Sequence, residues 1–142
     1  MRQEVLSSYD TVLRSGRRPM TEKLQTILVV DDDERVLRLF EKILVRGGYP
    51  VLAATSGRQA LQILRDQSVA LLILDICMPE PDGFELLTAI RANAPGLRVL
   101  AVSGFMGGAL LEATRHLGAT ATLNKADAPQ KLLSVVNDLM KW

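Results

Sequence analysis

Four separate stretches of the chain each place a charged or nucleophilic side chain directly after a short apolar run. Asp31, Asp32 and Asp33 follow Ile27-Leu28-Val29-Val30, and Asp75 follows Leu71-Leu72-Ile73-Leu74. Ser103 closes the run that begins at Arg98, and Lys125 follows Ala121 to Asn124. Adjacent carboxylates repel one another unless a cation or hydrogen-bond donors relieve them. Clustered carboxylates suit a hard divalent ion such as magnesium, which takes oxygen ligands and often works beside a phosphate. A carboxylate also serves as a nucleophile that forms an aspartyl phosphate. Phosphoryl transfer asks the protein mainly for positioning and for cations that neutralise the transferred oxygens. Lys125 supplies such a cation and Ser103 a hydroxyl donor, so the set fits self-catalysed phosphoryl transfer onto a carboxylate. Taken singly, Asp75 also fits an ordinary strand-to-helix turn in which it caps the next helix.

These side chains must be delivered to one place by the elements that carry them. The unbroken run before Asp75 reads as a strand buried on both faces, as in a parallel sheet. Thr26 to Val30, Val51 to Ala54, Arg98 to Val102 and Ala121 to Leu123 read as four more strands. Between them, Val36, Leu37, Phe40, Ile43 and Leu44 recur at helical spacing, with Asp33 as N-cap and Gly47-Gly48 as the stop. Ser56 caps a helix that buries Ala60, Leu61 and Leu64. Phe84 to Asn93 forms a helix with Leu86, Leu87 and Ile90 inward, and Met106 to Leu117 forms the next. Asp127 caps a last helix that buries Leu132, Leu133, Val136, Leu139 and Met140. Strands alternating with helices imply an α/β fold, a doubly wound parallel sheet of five strands with helices on both faces. The carboxyl ends of all strands then share one edge, where ligands collect in open α/β sheets. Pro79, Pro81 and the Asp82-Gly83 turn pair stiffen the loop beside Asp75.

Composition narrows the function classes. The chain has 142 residues, 48% of them hydrophobic, which suits one globular domain. Basic and acidic residues nearly cancel at a net charge of +1, which argues against a direct nucleic-acid footprint. No apolar run approaches the roughly 20 residues needed to span a bilayer, and no secretory signal is visible. A single cysteine, Cys77, excludes an internal disulfide and is consistent with a cytoplasmic location. Residues 1–23 differ from the rest. Val5, Leu6, Tyr9, Val12 and Leu13 outline a short amphipathic helix, and Ser15 to Pro19 reads as a linker. That leader either packs on the domain or a second subunit, or is a functionless extension before Met20.

In chain order, Ile27-Leu28-Val29-Val30-Asp31-Asp32-Asp33, Asp75-Ile76-Cys77-Met78-Pro79 with Asp82-Gly83, Val102-Ser103-Gly104, and Gly118-Ala119 followed by Lys125 resemble the motifs of the receiver domains of bacterial two-component response regulators. The resemblance is to the single-domain, chemotaxis-regulator-like kind and covers about residues 25–141. It implies a flavodoxin-like strand order of 2-1-3-4-5 and a receiver domain over residues 24–142, after the 1–23 extension. It also implies that Asp75 accepts a phosphoryl group from a sensor histidine kinase or a histidine phosphotransfer protein. Asp31, Asp32, Asp75 and the backbone carbonyl of Cys77 would organise magnesium, while Ser103 and Lys125 would contact the phosphoryl oxygens. The output implied is protein–protein interaction with an unknown downstream partner, or onward relay, with a homodimer left open. No enzymatic activity is expected beyond self-catalysed phosphoryl transfer and autodephosphorylation.

Two positions depart from the family pattern. Ala126 stands where many receivers carry proline, and Thr122 where many carry an aromatic. They keep open a degenerate receiver that acts as a phosphorylation-independent docking or dimerisation module, which would not respond to beryllofluoride with magnesium. An aspartate-nucleophile phosphatase of the haloacid dehalogenase type needs an acid two residues after the nucleophile, and Cys77 stands there. By the same resemblance, Cys77 and Phe105 flank the approach of a hydrolytic water, so a long-lived phosphorylated form is expected. His116 reads as solvated surface near a helix C-terminus.

Overall fold

The computed structural model describes residues 25–77, 83–104 and 108–141. The expectations for the leader, for the Pro79–Asp82 loop, and for Phe105 and Met106 lie outside the described residues. Within them the chain runs β1 (Ile27–Val30), α1 (Glu34–Arg46), β2 (Val51–Ala54), α2 (Gly57–Asp66), β3 (Leu71–Asp75), α3 (Gly83–Asn93), β4 (Arg98–Ser103), α4 (Gly108–His116), β5 (Ala121–Asn124), a 3-10 turn (Lys125–Asp127) and α5 (Ala128–Leu139). All strand pairs are parallel, and the sheet order is β2-β1-β3-β4-β5. The chain leaves β1 toward one edge of the sheet and leaves β3 toward the other. The gap between β1 and β3 is therefore the switch point where ligand crevices form.

Strand alternation builds two cores. Ile27, Val29, Val51, Ala53, Leu71, Ile73, Leu100 and Val102 point to one face, under Leu37, Phe40 and Leu44 of α1 and Leu132 and Val136 of α5. Leu28, Val30, Leu52, Leu72, Leu74, Val99 and Ala101 point to the other, under Ala60 and Ile63 of α2 and Leu86, Leu87 and Ile90 of α3. Each fully buried Leu or Ile stabilises the fold by about 1.5–3 kcal/mol relative to exposure. The strands read as continuous apolar runs because both faces are covered.

Local chemistry sets the helix ends. Asp33 caps α1 by accepting from Arg35 N at 2.9 Å. At its other end Gly48 adopts φ +93°, while Tyr49 N donates to the Leu44 carbonyl and Gly48 N to that of Val45. That is a Schellman stop, which needs a residue free of the Cβ penalty at this φ. Ser56 caps α2 by accepting from Gln59 N at 3.2 Å.

Three details correct the sequence reading. In α2 the deep positions are Gly57, Ala60 and Ile63, while Leu61 and Leu64 are only partly buried against the second core. In α5 Leu132 and Val136, and at its C-cap Met140, are buried, and Leu133 and Leu139 only partly. Asp127 occupies the N-cap position of α5 but its side chain makes no capping bond. The cap lies earlier, where Asn124 accepts from Ala126 N at 3.0 Å and opens the 3-10 turn.

Candidate functional site

The parallel register assembles the site. Val30 stands opposite Leu74, so Asp31 and Asp75 leave neighbouring strands at the same level. Asp75 pairs with Val102, and Ser103 with Asn124, which sets Lys125 just past the end of the next strand. Three of these groups are buried: Asp31 at 2% exposure, Asp75 at 4% and Ser103 at 0%. Asp32 is exposed. A buried carboxylate is costly unless paired and hydrogen-bonded, and both buried acids are. Lys125 Nζ lies 2.7 Å from Asp31 Oδ2 and 3.1 Å from Asp75 Oδ2. The second oxygens take backbone donors, Asp33 N to Asp31 Oδ1 at 2.8 Å and Cys77 N to Asp75 Oδ1 at 3.0 Å.

Charge states follow from these contacts. Burial pushes the Asp31 carboxyl above its ordinary value, against the lowering effect of its hydrogen bonds from Lys125 and Asp33 N, and the nearby Asp75 charge adds to the rise. Burial alone would lower Lys125, but hydrogen bonds to Asp31 and Asp75 outweigh it and hold the ammonium above its ordinary value. Asp33 is lowered, chiefly by its side-chain hydrogen bond with Arg35, to which it also forms an exposed ion pair at 3.1 Å. Asp33 thus belongs to the α1 cap.

One carboxylate oxygen from each of Asp31, Asp32 and Asp75 can be chosen so that all lie within 4.8 Å of one another. Three clustered oxygens, one of them at the surface, match the donor preference of magnesium, which keeps several waters. Two of the three acids, Asp31 and Asp75, are already bridged by the Lys125 ammonium.

Two further residues shape the site. Gly83 opens α3 against the backbone of the preceding strand end. A Cβ there would collide with Ile76 Cα and come 2.6 Å from the Asp75 carbonyl oxygen. The glycine is needed for this close approach, a role separate from the Asp82-Gly83 turn that the sequence suggests. Cys77 is exposed, and its Sγ lies 3.2 Å from Ser103 Oγ, a contact with no signal in the sequence. Thr122 is partly buried on β5 opposite Ala101, and Ala126 is exposed beside Lys125. His116, at the C-terminus of α4, is exposed and 4.0 Å from Glu112.

The description "Response regulator receiver domain" matches residues 27–137. The response regulator receiver protein CpdR of Brucella abortus is 31% identical over 118 residues, covering 83% of this chain and 96% of CpdR. The transcriptional regulatory protein GltR of Pseudomonas aeruginosa is 32% identical over 131 residues, covering 86% of this chain and 51% of GltR. The chain spans about half or less of the transcriptional regulators it matches, with AlgB of P. aeruginosa and GlrR of Escherichia coli at 25% and 28%. Among solved structures, the chemotaxis protein CheY4 of Vibrio cholerae superposes with a TM-score of 0.78 at 26% identity, covering 83% of this chain and all of CheY4 (100%). The response regulator TrrA of Thermotoga maritima, solved in complex with Mg(2+)-BeF, has a TM-score of 0.75 at 26% identity, covering 82% of this chain and 100% of TrrA.

Proposed function

The chain belongs to the response regulator receiver domain family of two-component systems, and on that premise we propose that Asp75 is its phosphoryl acceptor. The observation that carries this reading is the shared Lys125 ammonium, which joins Asp75 to Asp31 across three strands beside the exposed Asp32. In the proposed step an Asp75 oxygen attacks the phosphorus of a phosphohistidine on a sensor kinase or phosphotransfer protein. A P–O bond forms, the P–N bond breaks, and the imidazole leaves with the electron pair and takes up a proton. Lys125 and Ser103 would then face the phosphoryl oxygens, as charge-assisted and hydroxyl donors. Asp31, Asp32, Asp75 and the Cys77 carbonyl would hold magnesium, which when bound supplies positive charge to the transferring oxygens. The receiver unit is residues 24–142. Its output, in a cytoplasmic setting, is a protein contact that changes on phosphorylation or an onward relay. Among the described residues no helix is long and apolar enough to cross a membrane.

Labelling with acetyl phosphate and magnesium tests the assignment. The wild-type chain should take up about one acid-labile phosphoryl group, and Asp75→Asn none while keeping a cooperative melt. Stoichiometric labelling of Asp75→Asn would refute it.

A further inference from the structure

We propose that the groove between α3 and α4 is the seat of the chain's own N-terminal leader, whose Val5, Leu6, Tyr9, Val12 and Leu13 cover it. The leader itself lies outside the described residues. Phe84, Thr88 and Ala89 of α3 line one side of the groove, and Ala113, His116 and Leu117 at the end of α4 line the other. The groove holds about 760 Å³, and its lining is almost wholly apolar. Phe84 and Leu117 are only partly buried against the second core, and Ala113 is exposed. The small side chains of Ala89 and Ala113 leave room between the two helices. Apolar surface gathered in one groove, rather than scattered, marks a binding site.

Reach and charge select the leader as occupant. Gln25, where the leader joins the domain, is anchored at the amino edge of the sheet, its Nε2 donating to the Met140 carbonyl at 3.2 Å. α4 runs back from the carboxyl edge, so Leu117, just before β5, returns to that same amino edge. β1 and β4 are separated only by β3, which makes two strand spacings, roughly 10 Å. Residues 15–24 span up to about 35 Å when extended. That is enough to round the amino edge and cross a helix layer about 10–12 Å thick. Arg14, Arg17 and Arg18 follow Leu13, while the flanks of the groove carry the exposed Glu85 on α3 and Glu112 on α4, beside His116. Surface ion pairs add little, so the charges orient the segment and apolar burial holds it. A tethered segment meets its groove at a high effective concentration, so a shallow seat suffices.

A nitroxide spin label in the full chain tests this. Ser7→Cys carries the label opposite the apolar side of the leader, and Cys77→Ala removes the single native thiol. At low protein concentration, the amide resonances of residues 84–89 and 113–117 should broaden, and should recover when the nitroxide is reduced. Leu6→Asp with Leu13→Asp should abolish the broadening without altering the domain. Ala113→Glu, at an exposed helical position, should abolish it from the groove side while the melt stays cooperative. No broadening, broadening centred elsewhere such as at the exposed Leu39 of α1, or broadening that survives in both variants would overturn the seat. Broadening seen only between mixed spin-labelled and isotope-labelled copies would give the groove to a second copy's leader and overturn the intramolecular contact. None of these results bears on Asp75 as acceptor, which is read by phosphoryl uptake alone.

Discussion

Lys125 Nζ stands 2.7 Å from Asp31 Oδ2 and 3.1 Å from Asp75 Oδ2, bridging the two buried acids of the carboxylate cluster. The lysine therefore does before any metal arrives part of what a divalent cation would do, by neutralising Asp31 and Asp75 together. Removing it leaves two buried acids facing each other.

Lys125→Met should lower metal-free stability by about 1.5–3 kcal/mol, the range for a charge-assisted hydrogen bond. It should also make the protein more dependent on magnesium, with a larger rise in melting temperature per added ion than the wild type shows. Thermal melts with and without magnesium measure both. An equal magnesium response in the two proteins would show that lysine and metal do not share the same charges.

Asp32 is the exposed member of the cluster and carries no part of the internal pairing. Asp32→Ala should leave the metal-free melt nearly unchanged and remove the magnesium gain, which is about 1.4 kcal/mol at tenfold over the dissociation constant. A retained gain would place the ion elsewhere.

The raised groups give opposite pH signatures to ordinary carboxylates. Asp31 is raised, so the folded state holds its proton above the usual 3.8, and ionised Asp31 costs stability. Its contribution falls as pH rises from 3.8 through the folded value. Asp31→Asn should therefore melt higher than wild type without metal at neutral pH, and lose the magnesium gain. Lys125 is also raised, so its contribution is full below the ordinary 10.5 and is lost as pH climbs through the higher folded value. Melts above pH 10 should fall more steeply for wild type than for Lys125→Met. A lower metal-free melt for Asp31→Asn would contradict the sign assigned to that carboxyl.

Gly83→Ala puts a methyl against Ile76 and the Asp75 carbonyl. Overpacking of this kind costs roughly 1–3 kcal/mol, and relief requires the start of α3 to move off the strand end that carries Asp75, the proposed acceptor. The variant should be destabilised by that order and should label more slowly. Labelling at the wild-type rate in a destabilised variant would separate helix docking from the chemistry.

Much of this was legible in the chain. The apolar runs at Ile27–Val30 and Leu71–Leu74 read as strands because both sheet faces are covered, and the acids after them fell on the shared edge. Asp33 and Ser56 read as caps because their bonds reach only two and three residues ahead. What escaped depends on distant register. The Cys77–Ser103 contact spans 26 positions and exists only because β3 and β4 pair in one alignment. Gly83 resembles a turn glycine in sequence, and the backbone it must approach is set by tertiary packing. In α2 the helical period admits either Leu61 and Leu64 or Ile63 as the deep face, and the angle of the helix on the sheet decides. At α5, Asn124 and the 3-10 turn take the capping role that spacing alone gave to Asp127.

β5 lies at the edge of the sheet, and of its four residues only Leu123 is buried. Yet the contact it positions, Lys125 with Asp75, closes a loop of 50 positions. A chain leaving the ribosome, at roughly 5–20 residues per second, has its acids synthesised well before the cation that balances them. The pocket is completed only when the last strand docks, and a nascent chain short of it holds a repelling cluster instead. After release, a local opening that frees this edge strand would withdraw the ammonium together with Leu123, which belongs to the core under α1 and α5. The charge balance of the pocket thus rests on the strand at the sheet's edge.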